Sequence, residues 1–519
     1  DKALKIFTLV NMKPRDIQVE AIRRCIAAYE NGAEYVILEA PPGCHAKGQL
    51  ILMSNGDLRK VEDVVVGDNV MGWDGTPRRV LKLQRGYQEM AVITPTKGEA
   101  FTVNLNHVLS LQRSPQNKKG NRRQRRDCLD GAVVDITVRD YLGWSTNQKH
   151  MHKLFRCPVD SFSNPTVLLP IDPYFLGLML GDGGLQQSPS VYKLDCEVRL
   201  ECERQARLWG LLCRRRRTGY AITGGQVGNR KNPITEALRT LNLWGTTSHT
   251  KFVPQAYKSS SWAARIQILA GLLDTDGSAA SGGFDYISAS RQLSADVTFL
   301  ARSLGLAAYM NSCWKEDQNG TGGTYWRVSI SGDCSTIPTR IPRKRASKRR
   351  QKKSVLRTGF NVELTKADDF YGFTLDGDGR FLLGDFTVTH NCGKSHVAVA
   401  LASIYGSNAY FTTLTAQLQS QYLDLFSKPL GMRVLKGRGK FQCGRGGGES
   451  CTVGKELFTG DDACYGPPDK LSKDPQLPHG DNAACPYLFS KQAAFNSPYM
   501  MANYHSFLAN IGQAASYVG

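Results

Sequence analysis

The sequence predicts a multidomain protein in which an α/β nucleotide-binding domain is interrupted by a long insert with an α+β part. Three observations lead to this fold class. The chain has 519 residues, enough for several domains of roughly 150 residues each. A phosphate-binding loop is present in two halves, separated by the 348 residues from 44 to 391. Within them, one ten-residue pattern occurs twice, as FLGLMLGDGG at 175–184 and LAGLLDTDGS at 269–278.

The nucleotide-binding prediction rests on the divided loop. A short apolar strand pattern, YVILEA, ends in Pro-Pro-Gly at position 43, and the expected Gly-Lys-Ser follows only after Cys392. Joining Gly43 to Cys392 gives EAPPGCGKSHVAVALA, which is a strand, a loop and an amphipathic helix in frame. In the joined loop, backbone N–H groups and Lys394 would bind the phosphates of ATP, and Ser395 would bind its Mg²⁺. The nucleotide-binding residues would be Gly43, Gly393, Lys394 and Ser395, with Gln18 from the preceding helix.

The joined loop is complete only if residues 44–391 leave. The alternative is a chance Gly-Lys-Ser beside a large domain insertion, which an exposed loop can tolerate. Such an insertion would, however, separate Lys394 from half of its phosphate-binding loop. A motif that reassembles in frame therefore favours removal of the insert.

The composition indicates a polyanionic partner. The chain carries 66 Lys and Arg against 46 Asp and Glu, for a formal net charge of +20. The basic residues are concentrated in three runs, at 118–126, 214–217 and 340–353. Runs of like charge repel themselves and are neutralised by phosphate, so they favour DNA as the partner. A solvated loop is the alternative for any single run.

Fourteen cysteines without a secretory signal indicate a reducing compartment, in which thiols serve chemistry or bind metals. The sequence contains no apolar run long enough to span a bilayer, so we expect no membrane partner. We expect an intracellular, cytoplasmic protein from a bacterial or phage-type host. Because the chain begins at Asp1 rather than Met, we also expect residues to precede it.

The two ends of the insert read Gly43-Cys44 and His390-Asn391-Cys392. Residues 44–70 and 370–392 resemble the N-terminal and C-terminal blocks of an intein, and this resemblance spans the whole insert. It implies an all-β Hint splicing domain formed by residues 44–165 and 351–391. It also implies a monomeric insert whose splicing requires no cofactor.

The resemblance implies a sequence of acyl transfers. Cys44 attacks the Gly43 carbonyl, Cys392 takes over the acyl group, and Asn391 cyclises to release the insert. A thiol suits this role because it is the strongest nucleophile available near neutral pH. His107, in FTVNLNHVLSL, would act as the general acid at the first bond, and His390 would assist Asn391.

Three positions depart from the family pattern. Asn104 stands where the family usually has Thr, and it can hydrogen-bond in the same place. Gly372 follows the tyrosine at a position that is often Asp or Cys, and Gly379-Arg380 stands where a histidine is common. The group that assists the late steps therefore stays open. Each lone Cys, His or Asn also has an ordinary structural interpretation, but together, at the ends of this insert, they favour catalysis.

The repeated segments resemble the LAGLIDADG motif of single-chain homing endonucleases. The resemblance covers residues 166–350 and implies two similar halves whose central helices pack through Gly177 and Ala270–Gly271. Each helix ends at an acid before glycine, Asp182 and Asp276, 94 positions apart. Carboxylates prefer Mg²⁺, so these two acids would hold the metal. Lys251 matches a lysine that the family often places near the active site.

The implied target is a long double-stranded DNA site in the intein-free host gene. We expect 340–353 to follow phosphates and 118–126 to be a further DNA-contacting arm. A buried helix with a glycine cap is the alternative for the first copy alone. For residues 166–350 as a whole, the alternative is a nuclease domain that no longer cleaves DNA.

The flanks, 1–43 and 392–519, resemble an iron–sulfur superfamily 2 DNA helicase with its own DNA substrate. Gln18 matches the adenine-contacting segment, and LKGRG and CPY match the cluster region. Four thiolates suit [4Fe–4S] or structural zinc, and the absence of tight C-x2–4-C pairs favours the cluster. An acidic ATPase motif is not found before Gly519, so we expect an incomplete helicase. The predicted cluster ligands are Cys443, Cys451, Cys464 and Cys485.

Two broader hypotheses remain. In the first, the chain is a self-splicing enzyme that also carries a nuclease. In the second, it is an ATP-binding helicase module with an inert insertion.

Overall fold

The structure is a computed structural model in which the chain forms two compact units. One unit contains residues 1–40 and 393–519, and the other contains residues 41–392. The structure describes residues 16–31, 43–114, 131–163, 168–224, 231–316, 322–349, 351, 353–390, 402, 409–413, 423, 426–428, 430–436, 441 and 486–503.

The helices of the described residues are short to medium in length. None of them is both long and apolar enough to cross a membrane. In chain order they are α1 Asp16–Glu30, α2 Val138–Leu142, α3 Thr146–Met151, α4 Pro173–Asp182, α5 Cys196–Leu208, α6 Pro233–Thr240, α7 Gln255–Lys258, α8 Trp262–Asp276, α9 Arg291–Ser303 and α10 Pro486–Phe495.

The described residues form 24 strands, of which the first 21 lie in the larger unit and the last three in the smaller one. In chain order they are β1 His45–Ala46, β2 Leu50–Leu52, β3 Leu58–Lys60, β4 Asn69–Met71, β5 Pro77–Pro95, β6 Phe101–Asn104, β7 Val108–Arg113, β8 Val133–Thr137, β9 His152–Phe155, β10 Gly183–Gly184, β11 Ser190–Val191, β12 Leu212–Arg215, β13 Tyr220–Thr223, β14 Gly277–Ala280, β15 Gly283–Ser288, β16 Ala307–Glu316, β17 Gly322–Ser331, β18 Arg357–Thr358, β19 Phe360–Leu375, β20 Arg380–Leu382, β21 Val388–His390, β22 Ala409–Thr413, β23 Arg433–Leu435 and β24 Tyr499–Asn503.

The two ends of the insert form one β-structure. A five-stranded sheet has the order β19-β1-β6-β5-β4, and β19 also pairs with β5 from Phe360↔Pro95 to Leu375↔Val80. A second sheet has the order β18-β9-β7-β21-β20, with β8 against β7. Apolar side chains from both sheets are buried together and form a shared core. The central strand β1 is therefore enclosed by strands from both ends of the insert.

The middle of the insert has two halves with one topology. In each half a long helix, α4 or α8, leads into a four-stranded antiparallel sheet, of order β10-β11-β13-β12 in the first and β14-β15-β17-β16 in the second. Asp172 caps the start of α4 by accepting from the Phe175 N–H, and Ser261 caps α8 in the same way. The duplicated topology is the one that the repeated motif predicts.

The β-structure and the duplicated α+β part share an interface. Phe299 of α9 packs against Phe386, with ring centroids 5.2 Å apart, in an apolar cluster with Phe155 and Leu382. The buried Arg265 of α8 donates to the Val159 and Asp160 carbonyls in the connection between the two parts. The larger unit is consequently one packed body rather than two tethered domains.

The smaller unit contains a parallel sheet of order β22-β24-β23. Residues of α10 and β24, including Phe495 and Met500, bury a small apolar core with Leu435. Parallel strands with a packed helix are typical of α/β domains. Strand β22 follows the predicted phosphate-binding loop in the sequence, as a strand of such a domain should.

Candidate active sites

Both described ends of the insert lie at His107. A Cβ added to Gly43 would lie 2.7 Å from the His107 Cα and 3.0 Å from the Asn106 carbonyl oxygen, so the backbone passes too closely for any other residue. At the other end, His390 pairs with Val108 in the β21–β7 ladder. The strands thus hold the Gly43–Cys44 junction and the penultimate residue of the insert next to the same histidine and the residue after it.

Asn104 fixes the peptide at the first junction. Its side-chain Oδ1 accepts a hydrogen bond from the Cys44 backbone N–H at 2.9 Å, and its own N–H donates to the Cys44 carbonyl at 3.1 Å. The Asn104 Nδ2 donates to Gln88 Oε1 at 2.8 Å, which sets the direction of the amide. Asn104 therefore makes a hydrogen bond at the position where the family usually has threonine, as the sequence led us to expect.

The histidines at this centre are buried and uncharged at neutral pH. Burial lowers the pKa of His45 to about 3. Burial first, and then repulsion from His45 and His390, holds the pKa of His107 well below its usual range. The rings of His45 and His107 have centroids 4.5 Å apart. A proton that enters this cluster is held weakly, so a protonated imidazole here is a strong acid.

His107 is oriented by Thr389, the residue before His390. The His107 Nε2 lies 2.6 Å from the Thr389 Oγ1, while the His107 Nδ1 has no hydrogen-bond partner among the described residues. If the Thr389 hydroxyl donates to Nε2, then Nδ1 carries the proton. The buried Nδ1–H group of His107 is then the donor available to the peptide at the Gly43–Cys44 junction.

The Cys44 thiol is fully buried between strands. Its Sγ donates to Gln84 Oε1 at 3.7 Å. Gly372 lies against the sulfur, and a Cβ at that position would overlap it. Asn391 and Cys392 lie outside the described residues, so the second nucleophile and the cyclising amide stay predictions.

The second candidate centre lies at the ends of α4 and α8. The two helices approach through glycines, because a Cβ on Gly177 would lie 2.9 Å from the Gly271 Cα. Both helices end at an acid, and the following glycine begins a strand. Burial and the charge of Asp182 raise the pKa of Asp276 to about 6. The two carboxylates therefore lie close enough to repel each other.

This donor set fits a divalent cation. Carboxylate oxygens at helix C-termini form an electronegative site, which is the chemistry that Mg²⁺ prefers. Burial first, and then the neighbouring Asp182 carboxylate, disfavour a bare negative charge on Asp276, and a bound cation would favour it. Asp182 and Asp276 are the residues that would hold the ion.

Two lysines occupy equivalent places in the two halves. Lys251 donates to the carbonyls of Gly181 and Gly183, each at 2.9 Å, at the end of α4. Lys344 donates to the carbonyls of Thr275 and Gly277 at the end of α8. Burial lowers the pKa of Lys251 to about 8, against the opposing effect of both acids. Lys251 is thus at the centre, and Lys344 is its counterpart.

Lys193 joins the two halves of this centre. It forms an ion pair with Asp182, with Nζ 2.9 Å from Oδ2, and it donates to the Thr275 carbonyl at 2.8 Å. The acid pair is therefore bordered by three ammonium groups, from Lys193, Lys251 and Lys344.

The basic run at 340–353 divides into two parts. Arg340 pairs with Glu201, and Arg343 pairs with Asp195, both acids lying in or next to α5. These contacts fix the start of the segment against the first half, and phosphate contact by the run stays a prediction. Arg345 and Arg349 are exposed, and the arginines at 214–217 lie exposed at and just after the edge strand β12. The run at 118–126 lies outside the described residues.

Most of the predicted nucleotide-binding residues and all of the predicted cluster ligands lie outside the described residues. Gln18 lies in α1, where only its backbone is described, and Gly43 lies at the insert junction. The remaining predicted ligands lie outside the described residues; they are Gly393, Lys394, Ser395, Cys443, Cys451, Cys464 and Cys485.

Sequence reasoning missed several residues at the two centres. Gln84, Gln88 and Thr389 reach the splicing residues only through strand pairing, and His45 is an ordinary strand residue in the sequence. Lys193 and Lys344 could have been noticed as lysines that occur in the two halves, but their approach to the helix ends requires the folded sheets.

A family comparison covers the first part of the insert. Residues 44–158 match the family described as Hom_end-associated Hint, so the chain contains a Hint domain of the intein type. The matched range includes Cys44, Asn104 and His107.

Two curated relatives are similar over longer stretches. The catalytic subunit of the V-type proton ATPase of Candida tropicalis is 21% identical over 477 residues, which cover 68% of this chain and 44% of that protein. The replicative DNA helicase DnaB of Mycobacterium intracellulare is 28% identical over 280 residues, which cover 52% of this chain and 44% of that protein. The chain spans less than half the length of these curated relatives. Since the flanks hold only 171 of 519 residues, the similarity to the helicase extends into the insert.

Two solved structures show partial similarity. The crystal structure of the gp41-1 intein is 18% identical and covers 14% of this chain and 54% of that chain, with a TM-score of 0.13. Structures of mesophilic variants of the homing endonuclease I-DmoI are 14% identical and cover 31% of this chain and 88% of that chain, with a TM-score of 0.23.

Proposed function

We propose that residues 44–391 excise themselves and join Gly43 to Cys392, and that the insert is also an endonuclease for double-stranded DNA. One observation carries the splicing proposal: the Gly43–Cys44 junction and His390 both lie against the segment of chain that holds His107. Acyl transfer between two distant points of a chain requires that the points meet, and the sheet brings the ends of the insert together.

The first step would be an exchange of bonds at Gly43. The Cys44 sulfur bonds to the Gly43 carbonyl carbon, the bond from that carbon to the Cys44 nitrogen breaks, and one proton moves from sulfur to nitrogen. Asn104 holds the nitrogen through its N–H, which orients the amide for attack. The low pKa of His107 suits a group that takes a proton and gives it up at once to the departing nitrogen.

The later steps would use the other end of the insert. Cys392 takes the acyl group from Cys44 by thioester exchange. The Asn391 side-chain nitrogen then attacks its own backbone carbonyl, which forms a cyclic imide and frees the Cys392 amine. His390 is buried beside His107, in a position to assist this cyclisation. The freed amine finally attacks the thioester and forms the peptide bond.

We infer the nuclease from the duplicated halves and their acid pair. Two helices that meet at glycines and end at Asp182 and Asp276 give an almost symmetric centre, which suits the two strands of a duplex. Mg²⁺ at these carboxylates would supply positive charge at the scissile phosphate and lower the pKa of a water molecule. The chain's own lysines, Lys193 and Lys251, would attract the DNA backbone.

We further propose that the flanks are part of a DNA helicase. The parallel sheet β22-β24-β23 and the in-frame phosphate-binding loop support a nucleotide-binding domain. The similarity to a replicative helicase accords with such a host. ATP-Mg, the [4Fe–4S] cluster and the helicase's DNA substrate stay predictions from the sequence.

Incubation of the purified chain followed by mass measurement tests the splicing proposal. We expect products of 171 and 348 residues, the first containing the joined sequence PPGCGKS. Asn391→Ala is expected to block release of the insert. A wild-type chain that stays at full length would support the inert insertion instead.

Cleavage of a plasmid that carries the intein-free joined gene tests the nuclease. We expect a double-strand break near the join in the presence of Mg²⁺, and none when Asp276 is replaced by Asn. An uncut plasmid at every Mg²⁺ concentration would leave the insert as a DNA-binding domain without nuclease activity.

A further inference from the structure

We propose that Gln84 is the positioning residue of the Cys44 thiol, acting in the space that Gly372 leaves open. This proposal rests on the proposed splicing function, because it concerns the first nucleophile of that reaction. Gly372 departs from the Asp or Cys common at this position, and the Cys44 sulfur lies against it, where a Cβ would overlap the sulfur.

Strand pairing explains the replacement. Gln84 of β5 lies directly opposite Gly372 of β19 in the antiparallel ladder. Residues that face each other across a ladder point to the same side of the sheet. Because Gly372 has no side chain, the space above it is filled by the Cys44 thiol and the Gln84 amide. A Cβ at position 372 would overlap the sulfur and lie 3.1 Å from the Cys44 Cβ.

The Gln84 amide is itself held in one direction. Its Nε2 donates to the Thr374 Oγ1 at 3.2 Å, which turns its Oε1 toward the Cys44 sulfur at 3.7 Å. Thr374 lies two residues after Gly372 and therefore on the same face of β19. Gln84 thus connects the thiol to the opposite strand.

A neutral amide affects the thiol differently from a carboxylate. Gln84 can accept a hydrogen bond from the S–H group but cannot take its proton, so it positions the sulfur without ionising it. The proton must still pass to the departing nitrogen of Cys44. Gln84 consequently fixes the direction of attack on Gly43, and another group moves the proton.

The first acyl shift can be measured alone in the full chain carrying Asn391→Ala and Cys392→Ala. Dithiothreitol cleaves the thioester formed at Cys44 and releases residues 1–43, and the release rate is followed from about pH 6 to about pH 9. Gln84→Met keeps the length of the side chain but loses the acceptor, and we expect release about tenfold slower. Glu89→Met, at an exposed position of the same strand, is the matched control and should leave the rate unchanged.

Gln84→Glu separates positioning from packing. A carboxylate can accept both the S–H hydrogen bond and the thiol proton, so we expect Gln84→Glu to release residues 1–43 faster than Gln84→Met across this pH range. Gly372→Ala should slow release as well, and its effect should not add to that of Gln84→Met, since both displace the same sulfur.

The proposal is overturned if Gln84→Met releases residues 1–43 at the parent rate with the parent pH profile. It is also overturned if the Met and Glu variants are equally slow at every pH, because that result indicates packing alone. A parent chain that releases nothing, together with a wild-type chain that does not splice, overturns the splicing proposal itself and the role of Gln84 with it.

Discussion

The two candidate centres of the insert are built from opposite kinds of side chain. The centre at Cys44 contains neutral groups: a buried thiol, the amides of Asn104, Gln84 and Gln88, and imidazoles whose pKa values are lowered by burial. The centre at Asp276 contains two carboxylates and three ammonium groups at helix ends. One packed unit therefore holds a nonpolar environment and a strongly charged one.

The difference follows from what each centre would act on. The substrate of the Cys44 centre is the chain itself, so no access from solvent is needed, and burial keeps water away from the thioester. The proposed substrate of the Asp276 centre would be an external polyanion, so its charge must remain accessible, and the Asp182 side chain is 30% exposed. Each of the following experiments asks whether the two centres are as independent as this contrast suggests.

The largest expected effect is that a substitution at either centre stops the reaction of that centre and leaves the other reaction intact. Asp276→Asn removes a carboxylate that would hold the metal, and we expect DNA cleavage to fall at least about a thousandfold. Splicing, measured by mass in the same variant, should stay within about twofold of wild type. Cys44→Ala should do the reverse and abolish splicing while cleavage continues. A single substitution that stopped both reactions would show that the centres depend on each other.

Part of each centre could be predicted from the sequence. The duplicated topology, the glycine contact of the two helices and the places of Asp182 and Asp276 all follow from short local patterns. The meeting of the two ends of the insert was implied by their resemblance to known blocks. Asn104 makes the backbone hydrogen bond expected at its position.

The partners of these residues could not be predicted, because they depend on pairings between distant segments. Gln84 faces Gly372 across 288 positions of sequence, and only the register of β5 and β19 reveals it. The same holds for Lys193 at Asp182, which requires the fold of the first sheet. Arg340 and Arg343 were expected to meet phosphate, yet α5 and the residue before it supply acids that pair with them.

A second experiment tests whether the helix contact belongs to the nuclease alone. Gly271→Ala adds a Cβ that would lie 2.9 Å from the Leu178 nitrogen and 3.0 Å from the Gly177 Cα. Forced separation of α4 and α8 is expected to lower the free energy of unfolding by about 3 kcal/mol, measured by urea titration. Gly224→Ala, which meets nothing within 4 Å, is the control. Splicing that failed together with the helix contact would indicate coupling through the Phe299–Phe386 interface.

A third experiment measures stability against pH, to test whether the buried His45 beside Cys44 is uncharged in the folded chain. Because the folded pKa of His45 is about 3 and its unfolded value about 6.5, the unfolded chain binds more protons between these values. The contribution of His45 to stability should be constant above about pH 6.5 and should fall as the pH decreases, with about 2 kcal/mol lost at about pH 5. His45→Phe should remove that part of the loss in the chain carrying Asn391→Ala and Cys392→Ala.

His150→Phe is the control for the third experiment, because His150 is an exposed histidine. It should leave the pH dependence of the urea midpoint as it is in the parent. An equal slope in the parent and in His45→Phe would mean that His45 is hydrated in the folded protein, contrary to its burial.

The smallest expected effect concerns the charge balance of the nuclease centre. Lys193 places an ammonium group 2.9 Å from Asp182, where it opposes the approach of a divalent cation. Lys193→Met should therefore tighten binding of Ca²⁺, used as a probe in calorimetric titration, by about fivefold, since the pair is partly screened by solvent. Lys315→Met, at an exposed position of β16, should change nothing. Weaker Ca²⁺ binding in Lys193→Met would mean that the lysine orders Asp182 for the metal rather than competing with it, and the centre would then rely on preorganisation more than on charge.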